Sequence, residues 1–179
     1  MARSLFPWAI LWLLPVLDVG LDINCRVMNF TDILLEALVE VQNPIRKLFI
    51  QDNPIASLPS QVFGDLFIRE LTITGIGLSE MHTNALPGQS SSLLQLNRTH
   101  NSLIAIPALE GLQARQCLDP SHNQRSDVPV GVFGDSPNLQ HIRLGRNQIC
   151  VLRRLACSES KGSATLLDLS GNCLISVSA

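Results

Sequence analysis

The stretch Ile45–Pro59, IRKLFIQDNPIASLP, decides the fold. Its apolar residues stand at fixed offsets around one asparagine, Asn53, and are Ile45, Leu48, Ile50, Ile55 and Leu58. The alternation from Leu48 to Ile50 predicts a short strand with two side chains inward and Phe49 outward. The amide of Asn53 suits an inward turn, where it bonds backbone groups that no strand ladder satisfies. The stretch therefore predicts one coil of a repeating structure.

The same frame recurs along the chain every 22–25 residues. The positions equivalent to Asn53 are Ile76, Asn101, Asn123, Asn147 and Asn172. Apolar residues keep the offsets in the later frames, as in Ile68, Leu71, Ile73, Leu78 and Met81, and in Leu139, Ile142, Leu144, Ile149 and Leu152. A second apolar row, Phe63, Leu86 and Phe133, comes ten residues after three of the frame positions. Because one coil cannot bury its apolar face alone, the coils must stack and share a core.

These offsets are those of the pattern LxxLxLxxNxL, and the chain after its first residues resembles the secreted leucine-rich repeat superfamily. The resemblance implies an α/β solenoid: a leucine-rich repeat arc with a concave parallel β-sheet and an irregular or short-helical convex side. We expect an amino-terminal cap over residues 21–44 and six repeats over residues 45–179, with no carboxyl-terminal cap. Cysteine at position 25, in Ile23–Cys25, suits a capping strand, and a short helix is expected from Thr31.

The motif VFGD occurs at Val62–Asp65 and again at Val132–Asp135, and the chain after the first segment starts with INC. In these marks the sequence looks most like arthropod secreted or ectodomain repeat proteins. Among them it is similar to the non-catalytic subunit of shrimp luciferase. That resemblance implies an accessory subunit that stabilises a separate catalytic chain.

Two adjacent central repeats break the pattern. Arg98, Arg115, Pro120 and Arg125 stand where other repeats have inward apolar residues. A buried guanidinium without a partner costs several kcal/mol, and a proline removes a ladder donor from an interior strand. The sequence predicts that these two repeats are degenerate, unless the arginines reach solvent or pair with Asp119 or Asp127.

Residues 1–20, MARSLFPWAILWLLPVLDVG, predict a signal peptide. Arg3 gives a positive start, and the apolar run Leu5–Leu17 is too short to span a bilayer of about 30 Å. Asp18 is a poor residue three places before a cut at Gly20, so the cleavage site stays open. The segment predicts a secreted, extracellular protein in an oxidising compartment.

In a secreted protein, cysteines can form disulfides and asparagines in sequons can carry glycans. The chain has five cysteines; Cys150 and Cys173 lie on neighbouring coils and form the candidate disulfide. Two sequons predict glycosylation at Asn29 and Asn97. A glycan on Asn97 would point outward from the strands and close that part of the surface.

The outward positions of the stacked strands form the concave face, which is the predicted binding surface for an unidentified protein partner. Its candidate binding residues are Lys47, Phe49, Glu70, Thr72, His141, Arg143 and Arg146. The leading interpretation is a secreted, non-enzymatic module that binds another protein. The alternatives are the accessory subunit already named and a fragment of an innate-immune or cell-surface recognition ectodomain.

Candidate chemistry is sparse. His100 and His122 share an offset in adjacent repeats and are expected to stack, but no third residue lines up with them to complete a metal site. Cys117 and His141 also share an offset, yet no oxyanion donors or glycine elbow accompany them. The net charge of -2 and the scattered Lys and Arg residues give no sign of nucleic-acid binding. We expect no catalytic residues, no cofactor, no metal, no nucleic acid and no membrane span.

Overall fold

The computed structural model describes residues 20–26, 44–64, 66–86, 92–105, 116–133, 138–153 and 165–178. Within these ranges the chain forms a parallel-sheet solenoid in which each coil contributes one strand to a seven-stranded sheet. The strands of this sheet are, in order, β1 (Leu21–Arg26), β2 (Ile45–Gln51), β4 (Ile68–Thr74), β6 (Gln95–Asn97), β7 (Cys117–Asp119), β8 (His141–Arg143) and β10 (Leu166–Asp168). Every neighbouring pair is parallel, which is consistent with a leucine-rich repeat arc.

The return side of the coils is built from short strands rather than helices. Strand β3 (Ser57–Leu58) pairs with β5 (Glu80–Met81), and β9 (Val151–Arg153) pairs with β11 (Ser176–Ser178). The described ranges contain no α-helix and a single turn of 3-10 helix, Thr83–Ala85. The expected short-helical convex side is therefore not supported. Coil-to-coil pairing holds these segments extended, and Pro54 and Pro59 remove helix donors from the first of them.

Two apolar rows make the core. Ile45, Leu48, Ile50, Leu71, Ile73 and Leu144 in the first row are each at most 1% exposed. Phe63 and Phe133 in the return row are fully buried. Leu167 and Leu174 hold the same offsets in the last frame but are about 40% exposed, at 39% and 41%, because no described coil packs against them.

The frame asparagines bind each coil to the one before it. The Nδ2 of Asn53 donates to the carbonyl of Cys25 at 2.7 Å, and that of Asn101 donates to the carbonyl of Ile73 at 2.8 Å. Asn123, Asn147 and Asn172 make the equivalent bonds at 2.9–3.2 Å. The side-chain oxygens accept in turn from backbone N–H groups of the preceding coil, as from Leu103 N to Asn123 Oδ1 at 3.0 Å. This ladder satisfies buried backbone groups that the sheet leaves unpaired.

Ile76 shows how one coil does without the asparagine. The Ile55 N–H, which would meet an asparagine side-chain oxygen, donates instead to the backbone carbonyls of Ile76 at 3.1 Å and Asn53 at 2.9 Å. The Ile76 side chain is buried at 4% exposure. A backbone carbonyl thus replaces the amide, so the apolar residue leaves no orphaned donor at Ile55.

A row of left-handed residues precedes the asparagines, and the sequence did not predict it. Asp52, His100, His122 and Arg146 have φ of 51–55° and share this position with Gly75 and Gly171. The left-handed conformation is unfavourable for residues with a Cβ. The frequent Gly, Asp and His at this offset are the sequence signal that indicates such a turn.

Pro120 shortens the sheet where the pattern is broken. It is buried, and it follows directly on β7. The residues equivalent to Pro120 in the two neighbouring coils donate a backbone hydrogen bond to the next strand: Arg98 N donates to Asp119 O at 2.8 Å, and Leu144 N donates to Asp168 O at 2.7 Å. Proline has no N–H to give, and the pairing of β7 with β8 ends at Leu118 with Ile142.

Both central arginines that the structure describes, Arg98 and Arg125, point into the core and are fully buried. Neither side chain reaches solvent, and among the described residues neither donates a hydrogen bond to Asp119 or Asp127. Arg115 lies outside the described residues. So do the signal peptide up to position 19, the expected helix from Thr31, and Asn29.

Candidate functional site

The concave face consists of outward side chains in continuous rows across the seven-stranded sheet. The register aligns Asp22, Lys47, Glu70, Gln95, Cys117, His141 and Leu166 in one row. The next row contains Asn24, Phe49, Thr72 and Asn97 from the first four strands. Neighbouring strands in a sheet lie about 4.8 Å apart, so the side chains of each row are neighbours from one strand to the next. Six of the seven candidate binding residues lie in these rows or their continuation, whereas Arg146 does not.

Strand β1 extends the face beyond the residues that the repeat pattern predicts. Its outward residues Asp22, Asn24 and Arg26 align with Lys47, Phe49 and Gln51. The alternation of buried Ile23 and Cys25 with exposed neighbours is the signal for this strand. The expected capping strand is therefore a full member of the sheet.

Ion pairs between strands hold the charged side chains of the amino-terminal half. Lys47 Nζ lies 2.7 Å from Glu70 Oε2, with both side chains about one-third exposed. Arg46 pairs with Asp22, and Arg26 Nε lies 2.9 Å from Asp52 Oδ2. Exposed pairs of this kind add little stability, but they fix the positions of these charges on the concave face.

In the carboxyl-terminal half of the concave face, several polar contacts involve Arg143. Its Nη1 lies 3.9 Å from Asp119 Oδ2 and donates to Cys117 Sγ at 3.2 Å. Asp168 aligns with Arg143 from the other side, where hydrogen bonds from Ser170, and then the charge of Arg143, lower the pKa of its carboxyl group. Arg143 thus lies between two carboxylates and keeps a side chain that is 41% exposed.

The two histidines stack at the carboxyl edge of the sheet. The rings of His100 and His122 are 4.1 Å apart between centroids and 15° from parallel. Stacked rings direct their nitrogen lone pairs side by side, so they do not converge on one ion. The described residues contain no group of three or more His, Cys, Asp or Glu that is able to hold a metal. Arg146 lies beside His122 in this left-handed row, at the edge of the concave face.

Cys117 and His141 are brought together in register, but the thiol is not activated. Burial raises the pKa of Cys117, and the charge and hydrogen bond of Arg143 only oppose that rise. A nucleophilic cysteine needs a lowered pKa. The sulfur accepts a hydrogen bond from Arg143, and no hydrogen bond from Cys117 to His141 is present among the described residues.

The remaining residues that the sequence singled out, and that the structure describes, are Asn97, Cys150 and Cys173. The Asn97 side chain lies half-buried in β6, where its Oδ1 accepts from the Thr99 N–H at 3.0 Å. Cys150 and Cys173 form a disulfide between the last two described coils. Cys25 and Cys117 are free thiols.

No helix in the described ranges is long and apolar enough to cross a membrane. No protein-family model matches the chain. The chain is 28% identical over 120 residues to keratocan of Gallus gallus, a match that covers 58% of this chain. It spans 33% of the length of keratocan. The repeat frame, the parallel solenoid and this match agree, and the chain is distantly similar to a leucine-rich repeat protein.

Proposed function

We propose that the protein is a secreted, non-enzymatic leucine-rich repeat module that binds another protein through its concave face. The main support for this proposal is the set of polar and charged rows that seven parallel strands hold in register. Repeat solenoids use such extended curved surfaces for recognition. The similarity to keratocan, a leucine-rich repeat protein of the extracellular matrix, supports protein binding outside the cell.

Phe49, Arg143 and Arg146 are the proposed anchors of the partner. Aromatic and arginine side chains dominate most protein interfaces, and Phe49 aligns with Thr72 in the amino-terminal half of the sheet. Arg143 lies between Asp119 and Asp168, which favours a partner with a carboxylate and donor groups at matching positions. The charge pairs across β1, β2 and β4 fix a register for that partner.

We expect the Phe49→Ala/Arg143→Ala/Arg146→Ala variant to bind the partner at least about 30-fold more weakly, since hot-spot residues contribute 2 kcal/mol or more. Immobilised wild-type protein captures the partner from extracellular fluid, and the variant is then compared by titration. The control is Ile104→Ala/Val130→Ala, which truncates apolar side chains exposed at 62% and 46% outside the sheet. Equal binding by the wild type and the triple variant contradicts the concave-face assignment.

The finer proposal is that the partner is a small catalytic chain, as the resemblance to the luciferase accessory subunit implies. The motifs on which this resemblance depends include Phe63, Phe133 and Cys25. These are buried core residues, so they contribute to packing and do not indicate a partner. The capture experiment separates this role from general protein binding, because only an accessory subunit retains and stabilises an enzyme.

Secretion through residues 1–20 is part of the proposal. We expect Leu13→Arg to keep the chain inside a secreting host cell, because a charge in a short apolar run blocks its recognition, and Leu13→Val to be secreted normally. Amino-terminal sequencing of the secreted wild type is expected to show the loss of about 20 residues. Secretion of the Leu13→Arg variant at the wild-type level would show that this segment is not the signal.

A further inference from the structure

Two neighbouring coils carry a cation each at a core position. Arg98 stands where Ile50 and Ile73 stand in their coils, and Arg125 stands where Leu78 and Ile149 stand. Both arginines are 0% exposed. Asn123, two residues from Arg125, donates to the Arg98 carbonyl at 2.9 Å. This bond joins the two coils, and the charge of Arg98 also acts on Arg125, so the two guanidinium groups belong to one region of the interior.

Most of their nitrogens have no acceptor among the described residues. Nε and Nη2 of Arg98 and Nε, Nη1 and Nη2 of Arg125 are buried without a hydrogen bond. Arg98 Nη1 contacts only a weak acceptor, the sulfur of Met81, at 3.6 Å. Buried polar groups in proteins are almost always satisfied, so five such donors in one place require an explanation.

No carboxylate among the described residues accepts a hydrogen bond from these nitrogens, and loss of a proton does not account for them either. Asp119 is engaged on the sheet surface by Ser121 and Arg143. Burial lowers the pKa of Arg98 to about 10, and burial together with the charge of Arg98 lowers that of Arg125 to about 8. Guanidinium groups resist deprotonation even so. Two like charges in an apolar interior are stabilised most directly by a negative charge between them.

We propose that the interior between these coils binds a small monovalent anion of the chloride class, held by the free N–H groups of Arg98 and Arg125. The coils of the two arginines also bury Leu96, Leu103 and Leu118, each at most 2% exposed, so the interior leaves little space and favours a small ion. The donors are N–H groups of two cations, which favour an anion without requiring a particular shape. This inference does not rest on the proposed binding function.

The test is thermal unfolding in sodium chloride against sodium gluconate at equal ionic strength, since gluconate is a much larger anion than chloride. We expect the wild-type Tm to rise by about 3–6 °C for each tenfold increase in chloride above the dissociation constant. Arg98→Leu/Arg125→Leu should lose this dependence. Arg69→Leu, which removes an exposed arginine, should keep it.

A wild-type Tm that is equal in the two salts overturns the proposal, as does an equal chloride effect in the double variant. Crystals of the wild type grown in sodium bromide give a second readout that needs no variant. An anomalous peak within hydrogen-bond distance of both guanidinium groups is expected. A carboxylate of this chain at that place, or no anomalous scatterer, overturns the anion site.

Discussion

We expect the Arg98→Leu/Pro120→Leu/Arg125→Leu variant to melt about 10 °C or more above the wild type in gluconate buffer. Apolar replacement of buried ionic groups commonly stabilises a protein by 1–4 kcal/mol, and each kcal/mol shifts the Tm of a chain of this size by about 2–4 °C. Both arginines are fully buried with unsatisfied nitrogens. Leucine at position 120 also restores the N–H that the ladder between β7 and β8 lacks.

Arg69→Leu is the control for a general effect of removing positive charge, and its Tm should lie within a few degrees of the wild type. The triple variant should also merge any separate unfolding transitions into one, because coils in a one-dimensional stack stabilise only their neighbours. A restored variant that is less stable than the wild type would mean that these three side chains do not occupy apolar core positions.

We expect Asn101→Ala to lower the stability by about 3–5 kcal/mol, because each buried backbone group left unpaired costs about 1–3 kcal/mol. The Asn101 amide donates to the carbonyls of Ile73, Arg98 and Thr99 at 2.8–3.2 Å. Its oxygen accepts from the N–H groups of Ile76 and Leu78 at 3.3 and 3.2 Å. One side chain thus satisfies groups in two coils.

Urea unfolding of Asn101→Ala and of the control Asn84→Ala measures this effect. Asn84 is exposed, so its loss should change stability by no more than about 0.5 kcal/mol. Ile76→Asn should also lower the stability, because it replaces a buried apolar side chain with an amide whose oxygen finds the Ile55 N–H already bonded to the carbonyls of Ile76 and Asn53. If Asn101→Ala proved as stable as Asn84→Ala, the asparagine ladder would not be the link between coils.

The repeat offsets predicted the core well because an inward position has one physical requirement, an apolar side chain of the right size. That requirement is enough to predict the buried positions of Leu48, Ile50, Phe63 and Phe133 from their offsets. It says little about the return side, where chain length and prolines leave several extended or helical paths open. The short-helical convex side was for this reason the weakest part of the prediction.

The offsets also showed that Arg98 and Arg125 stand in core positions, but not how the chain would respond. Escape to solvent requires a path for a long side chain, and no sequence pattern describes such a path. The concave face was predictable as a set of alternating positions. The arrangement of Arg143 between Asp119 and Asp168 depended on strand register between coils of unequal length, which the spacing alone did not fix.

Amide hydrogen exchange of the free wild-type protein in gluconate buffer, read by mass spectrometry, tests the account most directly. The central claim is a leucine-rich repeat stack that is intact at the amino-terminal coils and interrupted at two central ones. We expect slow exchange in β2 and β4, where the inward residues are apolar and the ladder is long, and faster exchange in β6 and β7. This difference should disappear in the triple leucine variant. Equal exchange in all four strands of the wild type, or slowest exchange in β6 and β7, would contradict it.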